Sequence, residues 1–123
     1  MVPKILVVDD ETDICDFVKN FFQERGYSVR TALNGEDALS IVKNDPPELI
    51  LLDIKMNGMD GIATLRHIKE HDRNISVIMV TALADQDKMD EACRLGACEY
   101  ITKPLVLDHL EQTVERNLKE IKV

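Results

Sequence analysis

The feature that most constrains this chain is the alternation of short, wholly apolar runs with longer amphipathic ones. Leu49-Ile50-Leu51-Leu52 is the clearest run, and Ile5-Leu6-Val7-Val8 matches it near the start. A strand apolar at every position has both faces covered, which is the condition of a parallel sheet flanked by helices. Three further runs are read as strands: Tyr27 to Ala32, Ile75 to Val80 and Cys98 to Ile101. Between them lie segments with apolar residues at helical spacing. Ile14, Phe17, Val18, Phe21 and Phe22 form the first stripe, which Gly26 stops. Asn34-Gly35 reads as a turn, and the short helix after it, with Ala38, Leu39 and Val42, ends at Asp45-Pro46-Pro47. Ile62, Leu65 and Ile68 mark a third helix; Met89, Ala92 and Cys93 a fourth, stopped by Gly96; Leu107, Leu110, Val114, Leu118 and Ile121 a fifth.

The expected architecture is therefore five β-α units in series, an α/β fold with right-handed crossovers. The 123 residues suffice for one domain, expected to span 1–123, with no linker or low-complexity tract. A formal charge of −8 argues against direct binding to nucleic acid and against a basic membrane-surface helix. No apolar run has the length of a membrane span and no cleavable signal pattern is present, so a cytoplasmic location is expected. Cys15, Cys93 and Cys98 include no C-x-x-C pair. They are read as reduced thiols packed as small hydrophobes. His67, His71 and His109 fall on helix surfaces and are read as solvated.

The polar residues at the strand ends carry the chemistry. Asp9 and Asp10 follow the first strand, Asp53 the third, Thr81 the fourth and, closely, Lys103 the fifth. In a parallel α/β sheet those ends share one edge, where ligands bind. Three carboxylates, a hydroxyl and an ammonium should thus converge. Two carboxylates about 4 Å apart repel by roughly 4 kcal/mol at a surface-like dielectric. A proton or a hard cation relieves that repulsion, and an all-oxygen acidic site suits magnesium. Lys103 supplies a positive charge for an anion opposite. A cation and a lysine around one carboxylate make a phosphoryl-transfer site. Each residue alone has an ordinary structural reading, such as a helix cap or a surface charge.

Val7-Val8-Asp9-Asp10, Leu51-Leu52-Asp53-Ile54, Gly58-Met59-Asp60-Gly61, Val80-Thr81-Ala82 and Gly96 to Pro104 occur in that order. With these motifs the chain resembles the receiver domain of two-component response regulators over nearly its whole length. The resemblance implies a doubly wound, flavodoxin-like sheet of order 2-1-3-4-5. (A member of this family is itself a standard illustration of that order.) It implies that Asp53 is the phosphoacceptor and that magnesium is held by Asp10 directly, by Asp9 through water, by Asp53 and by the backbone carbonyl of Lys55. By the same resemblance Thr81 engages the phosphoryl group, Lys103 contacts it, and Tyr100 turns inward in the active state. A cis bond is expected at Lys103-Pro104. Asn57 stands where the family commonly has proline. Lys55 and Leu83 occupy positions that influence how fast the phosphate is lost; Leu83 offers no polar group to orient water, so hydrolysis is not expected to be especially fast.

The implied partners are a sensor histidine kinase or phosphotransfer protein, and a downstream effector protein or an effector domain outside this stretch. A phosphorylation-dependent homodimer is left open, because the stripe of the last helix is needed for the core. The implied role is a switch and not an enzyme, assisting only its own phosphorylation and dephosphorylation. Three rivals stand beside it. A phosphatase with an aspartyl nucleophile would carry Asp-x-Asp on the first strand, whereas Asp9 and Asp10 are adjacent. A flavin binder needs a phosphate cradle where Asp10-Glu11-Thr12-Asp13 would repel phosphate. A pseudo-receiver would bind proteins without accepting phosphate.

Overall fold

The structure is a computed structural model that describes residues 2–56, 58–82, 86–97 and 99–121, with side chains through 118. Ten elements alternate: β1 (Lys4–Val8), α1 (Thr12–Gln23), β2 (Ser28–Ala32), α2 (Gly35–Asn44), β3 (Leu49–Asp53), α3 (Gly61–His71), β4 (Ser76–Thr81), α4 (Gln86–Arg94), β5 (Glu99–Thr102) and α5 (Leu107–Ile121). The strands form one parallel sheet in the order β2-β1-β3-β4-β5, as expected. Asn57, Leu83 and Cys98 lie outside the described residues, as does the side chain of Ile121.

Both faces of the sheet are covered, which explains the continuous apolar strands. Successive residues point to opposite sides. Leu6, Val8, Ile50, Leu52, Val77 and Met79 meet the apolar faces of α2, α3 and α4. Ile5, Val7, Leu49, Leu51, Ile78 and Val80 meet α1 and α5 through Cys15, Val18, Phe22, Leu110, Val114 and Leu118. Every residue of β3 is buried.

Several boundaries differ from those expected. β2 begins at Ser28, because Tyr27 N is spent on Phe22 O at 3.1 Å in the turn that leaves α1. Gly26 supplies the positive φ of 90° which that turn requires. β4 runs one residue later than expected, to Thr81, and β5 from Glu99 to Thr102; Thr81 pairs with Thr102 in register, so the ladder extends past the apolar run. Asn34 is not a turn residue but the N-cap of α2, its side chain accepting from Asp37 N at 2.8 Å. Phe17 does not join the core and is 53% exposed, since Ile14, Cys15, Val18 and Phe22 already fill the buried face of α1. Cys15 is buried as expected, but Cys93 is exposed on α4. Among the described residues no helix is long and apolar enough to cross a membrane.

Candidate functional site

The parallel register brings the site together. Val8 pairs with Leu52, so Asp9 and Asp53 fall side by side at the strand ends. Asp53 pairs with Val80, which places Thr81 one position further along on the neighbouring strand. Thr81 pairs with Thr102, and the Lys103 amide continues the ladder by donating to Thr81 O at 2.7 Å. Backbone pairing alone thus delivers four of the sequence-selected residues to one edge.

Side chains close the cluster. Asp9, Asp10 and Asp53 each offer a carboxylate oxygen within 4.8 Å of the others. The Lys103 ammonium donates to Asp9 Oδ2 at 2.9 Å and to Asp53 Oδ2 at 3.4 Å. The remaining oxygens meet the backbone. Asp9 Oδ1 accepts from Glu11 N at 2.9 Å and Asp53 Oδ1 from Lys55 N at 3.3 Å. The loop after β1 and the loop after β3 are each held by the aspartate that precedes them.

One ammonium is thus shared between the two buried carboxylates of a cluster of three. The pKa of Asp53 is raised above the usual carboxylate value, first by burial and then by the charge of Asp9, with Lys103 offsetting part of the rise. Lys103 is itself pushed up: burial works against its charge, and the two aspartates more than compensate.

An open cleft of about 320 Å³ leads to this cluster, lined by Asp10, Ile54, Lys55, Met56, Asp60 and Lys88. Lys55 is exposed at its mouth. Sequence reasoning gave Asp60 only as a member of the Gly58-Met59-Asp60-Gly61 motif, with no role of its own, and did not single out Lys88. Asp60 had a visible signal, as an acid directly before a helical stripe; it caps α3 by accepting from Ala63 N at 2.8 Å. Lys88 had none, being one charge among several on α4. Gly61 also has a definite reason. Its amide donates to Ile54 O at 2.8 Å, and a Cβ there would lie 2.7 Å from Ile54 Cα and closer still to Asp53 O. Any side chain at 61 would therefore push the acceptor strand end aside.

Tyr100 does not join the cluster. It pairs with Met79 in register and is 46% exposed. Just before it, both carboxylate oxygens of Glu99 are held by α5, one by Arg116 Nη2 and the other by Asn117 Nδ2. The Lys103–Pro104 peptide bond is cis. His67, His71 and His109 are exposed, and His67 Nδ1 lies 3.2 Å from Glu70.

Comparison with known proteins settles what carries this geometry. A family model for the response regulator receiver domain matches residues 5–115. The chain belongs to the response regulator receiver family. It is 41% identical over 118 residues to sporulation initiation phosphotransferase F of Bacillus subtilis, covering 96% of this chain and 95% of that one. It is 40% identical over 114 residues to the transcriptional regulatory protein ZraR of Salmonella typhimurium, covering 93% of this chain but 26% of that protein. Among solved structures, a CheY-like receiver domain protein from Methanospirillum hungatei JF-1 superposes with a TM-score of 0.97 at 30% identity, covering 99% of this chain and 98% of the other. This receiver chain thus matches one relative along nearly its full length and about a quarter of a longer regulator. Receiver domains are phosphoacceptor switches of two-component phosphorelay signalling and bind magnesium at their acidic pocket. Nothing in the matches favours a phosphatase, a flavin binder or a pseudo-receiver.

Proposed function

We propose that residues 1–123 act as one receiver switch, in which Asp53 accepts a phosphoryl group from the phosphohistidine of a sensor histidine kinase or phosphotransfer protein. The observation that supports this most is the sharing of the Lys103 ammonium between Asp9 and Asp53 at the end of the sheet. An oxygen of the Asp53 carboxylate attacks phosphorus, the bond from phosphorus to the donor nitrogen breaks, and an acyl phosphate forms. Lys103 is already within reach of Asp53 Oδ2, so it can follow the charge as it moves onto the phosphoryl oxygens. Thr81, at the end of the adjoining strand, is assigned the hydroxyl that engages the phosphoryl group.

The donor set fits magnesium: oxygen ligands alone, from Asp9, Asp10 and Asp53 with the Lys55 carbonyl added, and neither His nor Cys in the cluster. Bound there, magnesium supplies the two positive charges that balance three carboxylates and one ammonium. The readout is assigned to Tyr100 and to the faces of α4, β5 and α5. Phosphate shifts the population between two packings through contacts that exist only in the modified state. The switch passes its state to a downstream effector, either a separate protein or a domain outside this stretch, as the partial coverage of ZraR suggests. A homodimer formed on phosphorylation is one form that output can take. The reading includes a cytoplasmic location, no membrane partner, no direct contact with nucleic acid, and no turnover of any substrate other than the switch itself.

Mass spectrometry after incubation with acetyl phosphate tests the acceptor, with and without magnesium, on the wild type and on Asp53→Asn. The expected result is a magnesium-dependent gain of one phosphoryl group that the variant lacks. A wild type that gains nothing under either condition would overturn the reading in favour of a pseudo-receiver.

A further inference from the structure

A larger concavity lies apart from the acidic pocket. It is a cleft of about 790 Å³ between the C-terminal ends of α3 and α4. α3 starts beside Asp53 and runs 11 residues, about 16 Å, away from it. The cleft therefore lies at the opposite edge of the sheet.

Its charge is unlike that of the rest of the chain. Arg66, Lys69, Arg73 and Arg94 line it against two carboxylates, Glu70 and Asp72. Both acids are already engaged: Glu70 Oε1 lies 3.2 Å from His67 Nδ1, and Asp72 Oδ1 accepts from Asn74 N at 2.8 Å. The two helix ends each contribute about half a negative charge, which leaves roughly one positive charge in the cleft. The whole protein, by contrast, carries −8.

The fold accounts for some of these cations and not for others. Lys69 serves the backbone, donating to Ile75 O at 2.6 Å and to Arg73 O at 3.3 Å. Arg66 leans towards Glu91 at 3.8 Å, a long and half-exposed contact that solvent screens. Among the described residues neither Arg73 nor Arg94 pairs with an acid. Gly96 forms part of the lining, and the Lys69 chain lies against it, with Cε 3.3 Å from where a Cβ would stand. The absence of a side chain at 96 keeps the cleft open between the two arginines.

We propose that this cleft binds a small phosphate-bearing anion, held by Arg73 and Arg94. Guanidinium groups suit this task because their planar forks take phosphate oxygens in pairs. The concavity favours a small ligand over a flat protein surface. The site is independent of the phosphoacceptor reading.

Inorganic pyrophosphate is the probe, titrated into ¹⁵N-labelled protein in metal-free buffer against sodium chloride of equal ionic strength. Saturable shifts are expected at the amides of Arg73, Arg94 and Gly96, with those of Asp9 and Asp53 unmoved. The Arg73→Gln/Arg94→Gln double variant, altered only at exposed positions, should keep its spectrum and lose at least tenfold in apparent affinity. Shifts no different from the sodium chloride control, shifts centred on Asp53, or undiminished affinity in the double variant would each overturn the proposal.

Discussion

At the residue scale, Asp53 is a buried acid whose ionised form the fold tolerates at a cost. Its folded pKa lies above the ordinary 3.8, through burial and the neighbouring Asp9 charge. A group with a raised folded pKa holds its proton more tightly when folded. Its ionisation therefore weakens the fold once pH exceeds the unfolded value, and fully so above the folded one. Asp53→Asn removes that penalty. Metal-free Asp53→Asn should be more stable than the wild type at pH 7 by on the order of 1 kcal/mol, in line with relief of a crowded buried charge. The gain should vanish below about pH 3.8, where the wild-type carboxyl is protonated in both states. Urea titrations of both proteins across pH check this. The acids and Lys103 were visible in the sequence because each follows an apolar run. The sharing of one ammonium between Asp9 and Asp53 was not, since it depends on a side-chain rotamer spanning a gap that only the assembled sheet defines. Gly61 was legible only as part of a motif; its reason is the nearness of Asp53 O, a fact of packing.

At the element scale, the strands were readable and their ends less so. β3 could be placed from its unbroken apolar run. β4 and β5 were misplaced by one residue because Thr81 and Thr102 are polar yet still pair, and hydropathy does not report a hydrogen-bond ladder. Phe17 was misassigned for a related reason: a helix of 12 residues offers more apolar positions than the sheet can cover. The attachment of β5 to α5 was also hidden. Asn117 is buried, donating to Glu99 Oε2 and to Thr113 O, and Arg116 holds the other oxygen of Glu99. This tie anchors the strand that carries Tyr100. Asn117→Ala should cost about 1–2 kcal/mol, the scale of a lost buried hydrogen bond to a charged acceptor. Amide hydrogen exchange should quicken in β5 more than in β1 or β3.

At the scale of the whole molecule, the acidic pocket and the net charge of −8 pull against compactness together. Two effects of magnesium can therefore be separated. Ionic strength screens the diffuse repulsion, whereas a bound ion adds stability by mass action, about 2.7 kcal/mol at a hundredfold excess over its dissociation constant. Millimolar magnesium chloride should raise the melting temperature of the wild type by several degrees more than sodium chloride of equal ionic strength. The excess should be absent in Asp10→Asn. Calorimetric scans in the two salts measure the difference. The meeting of distant strand ends was predictable because parallel strands share one C-terminal edge, whereas the strand order followed only from the family resemblance. The cleft between α3 and α4 was not, because helix spacing follows from packing on the sheet and not from any local pattern.

The ion pair between Lys103 and Asp9 joins positions 94 apart. Its consequence concerns synthesis of the chain. A ribosome makes Asp9, Asp10 and Asp53 first, and the early strands can pair while Lys103 is still inside the exit tunnel. A nascent chain therefore carries the proposed acceptor and its acidic neighbours for some time without Lys103. During that interval the three carboxylates lack the Lys103 charge, and a phosphoryl group placed on Asp53 would not meet that ammonium. Competence arrives with the last β-α unit, so a fragment stopped before β5 should display the acceptor to a donor and yet fail as a switch.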